Sequence, residues 1–158
     1  MSDLNPYDKF LDGRPLEAIL SSTAGEIERL LGAMGPEKVN AAPAPGKWSP
    51  AQIVAHLADC ELAFGFRLRQ TLAEDAPVIQ QFDQDKWAAT YTDVLANQAL
   101  EVFKALRGWN LRLIGLALPE AAHRPVTHPE RGTMTFLTIV ETMAGHDLNH
   151  LAQLQRLA

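Results

Sequence analysis

The stretch TIVETMAGHDLNHLAQLQRL, residues 138–157, decides the fold. It has no Pro and one Gly, and its apolar residues return at helical rather than alternating spacing, so it reads as an amphipathic helix. Thr135 is suited to cap it, and the helix is expected from about residue 135 to 157, with Phe136, Val140, Met143, Asp147 and Leu154 along one stripe. The same stretch carries His146 and His150, four residues apart. Side chains at that spacing lie roughly 5–6 Å apart at Cβ, close enough for both imidazoles to hold one metal ion.

Outward from this helix, Pro and Gly punctuate three more helical stretches. The first runs from about 15 to 34 and stops at Gly35-Pro36. After the Ala/Pro-rich loop AAPAPGK, Ser49 is placed to cap a second helix, with Pro50 at its first position and Gln52 completing a reciprocal cap. That helix is expected to reach about residue 72. A third is expected from about 92 to 118, with Val94, Leu95, Val102, Leu106, Trp109, Leu113 and Leu116 as its apolar residues and Pro119 as its stop. Residues 119–132, PEAAHRPVTHPERG, read as a loop on their Pro and Gly content. No stretch alternates as a strand would. The expected fold is all-α, a four-helix bundle forming one domain over residues 1–158.

Composition narrows the function. At 158 residues and 47% hydrophobic the chain can bury a real core. A net charge of −5 without any basic run argues against nucleic-acid binding. A lone Cys60 excludes an intramolecular disulfide and a multi-thiolate zinc site. No segment approaches the roughly 20 apolar residues of a membrane span, and residues 1–15 have no signal-peptide pattern, so a soluble, unprocessed, cytoplasmic protein without membrane partners is expected.

Two imidazoles alone make a weak site, and the best third donor is His56 in WSPAQIVAHLADCE, residues 48–61. His56 shares a helix face with Gln52, Asp59 and Cys60, and His146 and His150 lie with Thr142 and Gln153. Both faces are polar where pure packing surfaces would be apolar. From spacing alone the alternative stays open that these are ordinary partly buried or solvent-facing histidines.

The strings GKWSPAQIVAHLADCE (46–61), THPERGTMT (127–135) and HDLNHLAQLQRL (146–157), in that order, resemble the DinB-like superfamily of metal-binding four-helix bundles, also called DinB/YfiT-like metalloenzymes. The resemblance spans essentially the whole chain. It implies one divalent ion, zinc or nickel, held by His56, His146 and His150. It further implies either metal-dependent hydrolysis or transfer with a low-molecular-weight thiol cosubstrate such as bacillithiol, mycothiol or glutathione. Relatives of this kind often pair bundle against bundle, so a homodimer is expected.

Three imidazoles leave a coordination position open, the mark of a catalytic site. Hydrolysis of a small-molecule substrate would need a general base, for which Asp59 and Glu61 are the nearest carboxylates to His56 in sequence; either could instead orient a ligand histidine. Asp147 could do the same or pair with an arginine. His128 and Arg131 are candidates for a pocket mouth, although a surface loop position is the blander reading of His123 and His128. Arg67 and Arg69 could bind a substrate carboxylate. Cys60 reads as a small buried hydrophobe, and Trp48 and Trp87 as packing anchors. A different class remains in view: a noncatalytic bundle acting as a binding or stress-response partner.

Overall fold

The computed structural model describes residues 4–158. After a 3-10 turn at Asp8–Phe10, the helices are α1 (Leu16–Met34), α2 (Pro36–Asn40), α3 (Pro50–Ala73), α4 (Gln84–Ala88), α5 (Ala96–Ala121) and α6 (Phe136–Leu157). Strands β1 (Pro125–His128) and β2 (Gly132–Thr135) lie between α5 and α6. The four long helices form the bundle. Around it the order is α1, α6, α3, α5, which leaves α1 and α3, consecutive among the long helices, on a diagonal. This places α3 beside α6.

Local chemistry sets the helix ends. Ser49 accepts from the Gln52 amide at 3.3 Å while the Gln52 side chain accepts from the Ser49 amide at 2.9 Å, so α3 starts on the expected reciprocal cap. Thr135 accepts from the Thr138 amide and starts α6. The third long helix begins later than expected, at Ala96, because Asp93 takes a left-handed φ of 53° that a helix cannot continue. It also ends later, at Ala121. Pro119 lies in its last turn without ending it, and the Ala122 amide still donates to Leu118 O at 3.1 Å.

The segment expected to be loop contains an antiparallel hairpin, Pro125 pairing with Thr135 and His128 with Gly132. Gly132 takes φ 88° at the turn. Residues 77–79 add a parallel bridge on the outside, with the Ile79 amide donating to Thr127 O. Strands of four residues, β1 with Pro125 inside it and Pro129 after it, give no alternation long enough to read from sequence. The hairpin buries Val126 and Met134 against the bundle.

The core is two apolar clusters. One holds Ile27, Leu30, Ile53, Leu57, Phe103 and Leu154. The other holds Leu20, Leu68, Ile114, Phe136, Val140 and Met143. Along every long helix, buried polar side chains fall between the two: Thr23 on α1, His56 and Glu61 on α3, Arg107 and Asn110 on α5, and His146, Asp147 and His150 on α6. The bundle therefore has a polar middle layer. Two glycines let backbones close around it: a Cβ at Gly65 would lie 2.7 Å from the Asn110 side chain, and one at Gly145 would lie 2.5 Å from Tyr7 O.

The apolar residues read for the third helix divide: Val94 and Leu113 pack against the core clusters, and others turn outward. Val102, Trp109 and Leu116 are more than half exposed, and the core side is Leu100, Phe103, Arg107, Asn110 and Ile114. Among the described residues, no helix is long and apolar enough to cross a membrane.

Candidate metal centre

His56 comes from the second turn of α3, and His146 and His150 from successive turns of α6, so the α3–α6 contact brings three imidazoles together in the polar layer. All three are buried, and one ligand nitrogen from each lies within 4.8 Å of the others. The Nε2 atoms of His56 and His146 are 3.1 Å apart. Nitrogens on a tetrahedral ion with bonds of about 2.0–2.1 Å lie about 3.3–3.4 Å apart, so this donor set fits one divalent ion.

The protonation states agree with that fit. Burial pulls His56 down to about 4, with His150 adding to the effect. His146 is pushed well below its ordinary value by burial and then by the other two imidazoles and Arg107. Burial also lowers His150, against the opposing pull of Gln153 and Asp147. Neutral imidazoles are what a metal requires. The Gln153 Oε1 lies 2.9 Å from His150 Nδ1, so it accepts that N–H and leaves Nε2 with its lone pair for a ligand bond. Trp48 packs on His56 at 4.8 Å between ring centroids and Tyr7 meets His146 edge-on at 5.0 Å, which restricts both rings.

The sequence candidates separate around this centre. Cys60 Sγ lies 3.5 Å from His56 Nε2, and burial, with Asp59 next, pushes its thiol up to about 12. Asp59 Oδ2 accepts from the Tyr91 hydroxyl at 2.6 Å. Glu61 is buried and accepts from Arg107 at 2.7 Å and from Asn110 at 2.8 Å. Asp147 pairs with Arg107 at 2.6 Å and accepts from Thr23 at 2.7 Å, so of its two expected roles it takes the arginine partner. Arg69 bonds Gly65 O and Asn110 Oδ1 and is committed to the α3–α5 contact. Trp87 packs on Phe82, and His123 is exposed.

His128, Arg131 and Arg67 line a cleft of about 490 Å³ whose inner wall includes His146 and Cys60. His128 is buried, not on the surface.

Arg107, Asn110, Thr23 and Tyr7 escaped the sequence reading. Arg107 and Asn110 interrupt the 100, 103, 107, 110, 114 spacing of a core stripe, and a charge on such a stripe was the available signal. For Tyr7 the signal was Gly145, a glycine in mid-helix with no turn to explain it.

Comparison with known proteins follows the same lines. A protein of Oceanobacillus iheyensis named "putative metal-dependent hydrolase" is 28% identical over 99% of this chain and 96% of its own length. One of Geobacillus kaustophilus with the same descriptive name is 26% identical over 89% of this chain and 80% of its own length. The structure of YfiT from Bacillus subtilis, described as "a probable metal-dependent hydrolase with an unusual four-helix bundle topology", superposes with a TM-score of 0.82 at 20% identity, covering 90% of this chain and 83% of that one. A family model described as the DinB superfamily matches residues 19–154, from the first turn of α1 to the last turn of α6, and the chain belongs to that superfamily.

Proposed function

We propose that the protein is a metal-dependent hydrolase of a small molecule, with one divalent ion held by His56, His146 and His150. The observation that carries this reading is the set of three buried imidazoles with ligand nitrogens within 4.8 Å of one another, opening onto a cleft at His146. Bound there, a divalent ion supplies Lewis acidity and makes a water acidic enough to give hydroxide near neutral pH. The chain's own contribution is to hold the imidazoles neutral, fix the His150 tautomer through Gln153 and brace two rings with Trp48 and Tyr7. Imidazole donors suit zinc and nickel, the two ions assigned here. Glu61 and Asp147, both bound to Arg107, take a structural role in this reading, and Asp59 with its Tyr91 partner is the remaining carboxylate for proton transfer.

The test is elemental analysis of protein purified without a metal-affinity tag, followed by turnover of ester, amide and phosphoester panels before and after chelation. The reading expects about one zinc or nickel per chain, hydrolysis lost on chelation and restored by the ion, and metal well below stoichiometric in His146→Ala with helicity retained. Full occupancy in that variant overturns the ligand assignment. Turnover that begins only when bacillithiol, mycothiol or glutathione is added would replace hydrolysis by thiol transfer. A metal-replete protein inactive in every panel would leave the noncatalytic binding role.

For assembly we propose a homodimer through the outer face of α5. Val102, Trp109 and Leu116 on it are more than half exposed, and with Leu106 they recur at helical spacing. Leu62 and Phe66 on α3, the helix packed against α5, are also more than half exposed. The same face on a second copy is its twofold complement. Light scattering at micromolar concentration should give twice 17.4 kDa for the native chain and the single mass for Trp109→Glu. A native chain at the single mass rejects the dimer.

A further inference from the structure

The cleft beside His146 holds two guanidiniums that face it without a carboxylate of their own. Among the described residues, neither Arg67 nor Arg131 has a carboxylate oxygen within 4.0 Å. Arg67 is half-buried and held in place: its Cζ lies 6.0 Å from the Phe64 ring centre and 5.5 Å from that of Phe82, and Nη2 donates to Gln80 O at 3.0 Å. The third basic side chain is His128, which is 5% exposed. Its Nδ1 accepts from the Glu130 amide at 3.2 Å, so Nε2 carries the proton and is a donor. Burial lowers the His128 pKa first, and the nearby guanidiniums of Arg131 and Arg67 lower it further.

The acids on the cleft do not cancel this charge. Asp83 caps α4 through the amides of Asp85 and Lys86 and pairs with Lys86 at 3.2 Å. Glu130 is exposed, at the solvent rim. Like charges gathered in a partly dry cleft repel one another, and an anion between them relieves the repulsion while accepting charge-assisted hydrogen bonds. The cleft is also short. Phe64 lies 6.0 Å from the His146 ring and the same distance from the Arg67 guanidinium, so one phenyl ring separates the anion-binding end from the histidine centre.

We propose that the substrate is a small molecule bearing a carboxylate or phosphate group, which Arg67, Arg131 and His128 Nε2–H bind while Phe64 and Phe82 flank its apolar part, setting the bond to be hydrolysed beside His146. This rests on the hydrolase reading for the chemistry, and on the cleft alone for the anion. Arg67 and Arg131 then determine specificity.

The experiment compares phenylacetate, phenylphosphonate and the neutral isostere phenylacetamide by calorimetry on the full chain, zinc-loaded and chelator-treated. At least one anion should bind about 10-fold or more tighter than the amide in both states, as charge-assisted bonds to a guanidinium predict. Which anion wins distinguishes carboxylate from phosphate. The preference should fall to about 3-fold or less in Arg131→Gln, whose side chain makes no hydrogen bond or ion pair among the described residues, and in Arg67→Gln, with zinc content unchanged in both. Equal affinity for anion and amide overturns the proposal. A preference present only in the zinc-loaded chain also overturns it, because the ion would then be the anion's partner, and the hydrolase reading would survive. A preference that persists in a chain unable to retain zinc supports the anion cleft while the metal reading fails.

Discussion

Two buried polar clusters share the middle layer of the bundle and solve the same problem in opposite ways. The Arg107 cluster closes on itself. Its guanidinium donates to Asp147 at 2.6 and 3.1 Å, to Glu61 at 2.7 Å and to Leu20 O at 2.9 Å, and lies 4.6 Å over the Phe103 ring. Asn110 donates to the remaining Glu61 oxygen, Thr23 adds a second donor to Asp147 Oδ2, and Arg107 Nε is left without a partner. Burial opposes the charge, yet Asp147 and Glu61 lift the Arg107 pKa above its ordinary value. The histidine cluster, one residue away on α6, instead turns imidazole nitrogens toward one another, 3.1 Å apart between His56 and His146. A buried polar group needs a partner. The first cluster has its partners within the chain; the second is a donor set that could hold a metal ion.

The largest effect should come from breaking the closed cluster. Arg107→Met leaves two carboxylates buried without their cation, and removing one partner of a buried ion pair typically costs about 3–5 kcal/mol. Urea denaturation should show that loss, whereas His146→Ala, measured on metal-free protein, should lose distinctly less. Equal losses would erase the distinction between a structural and a ligand-binding cluster.

Acid should separate the two next. In metal-free protein the His56 pKa is about 4 when folded, against an ordinary value of 6.5, so between those values the unfolded chain binds the extra proton. Stability is then complete above about pH 6.5 and falls as pH drops toward 4, by up to about 1.4 kcal/mol per pH unit for each such histidine. His146 and His150, also lowered, add in the same direction. Denaturation midpoints measured from pH 7.5 to 4.5 should fall, with a shallower slope in His56→Asn. An unchanged slope in that variant would show that His56 does not titrate on unfolding.

Metal should act on one cluster only. An ion present at about 100 times its dissociation constant stabilises the fold by about 2.7 kcal/mol. A chelator should therefore lower the melting temperature of the native chain and leave His150→Ala unmoved. A chelator-induced drop of the same size in both would place the ion elsewhere.

The contrast also explains what the sequence disclosed. The capped starts of α3 and α6 were legible because Ser49, Gln52 and Thr135 act within four residues, and the histidines were legible because their spacing is a property of one helix. Helix α5 was legible as a helix but not in its facing: Val102, Trp109 and Leu116 are more than half exposed, while the stripe that enters the core includes Arg107 and Asn110. Hydropathy alone does not find the core face where a buried ion cluster replaces apolar packing. The parts of the site from distant segments, Tyr7 against His146 and the hairpin's His128 and Arg131, depend on tertiary contacts that no local pattern encodes.

The smallest expected effect tests the boundary between the clusters. Gln153 belongs to neither set of ions or ligands, but its Oε1, 2.9 Å from His150 Nδ1, fixes which nitrogen of that ring carries the proton. Gln153→Ala frees the ring to take either tautomer and to rotate, and loss of such a support typically weakens metal binding by about 10–100-fold. The fold should barely change, because Gln153 is only half-buried and its carbon chain contributes little packing. Gln153→Glu keeps an acceptor in place and should restore most of the affinity. Competition with a chromophoric chelator would read both variants. If Gln153→Ala bound zinc as tightly as the native chain, the open cluster would be oriented by its packing against Trp48 and Tyr7 alone. If Gln153→Glu failed to recover what Ala lost, the hydrogen bond would not be the reason for the loss.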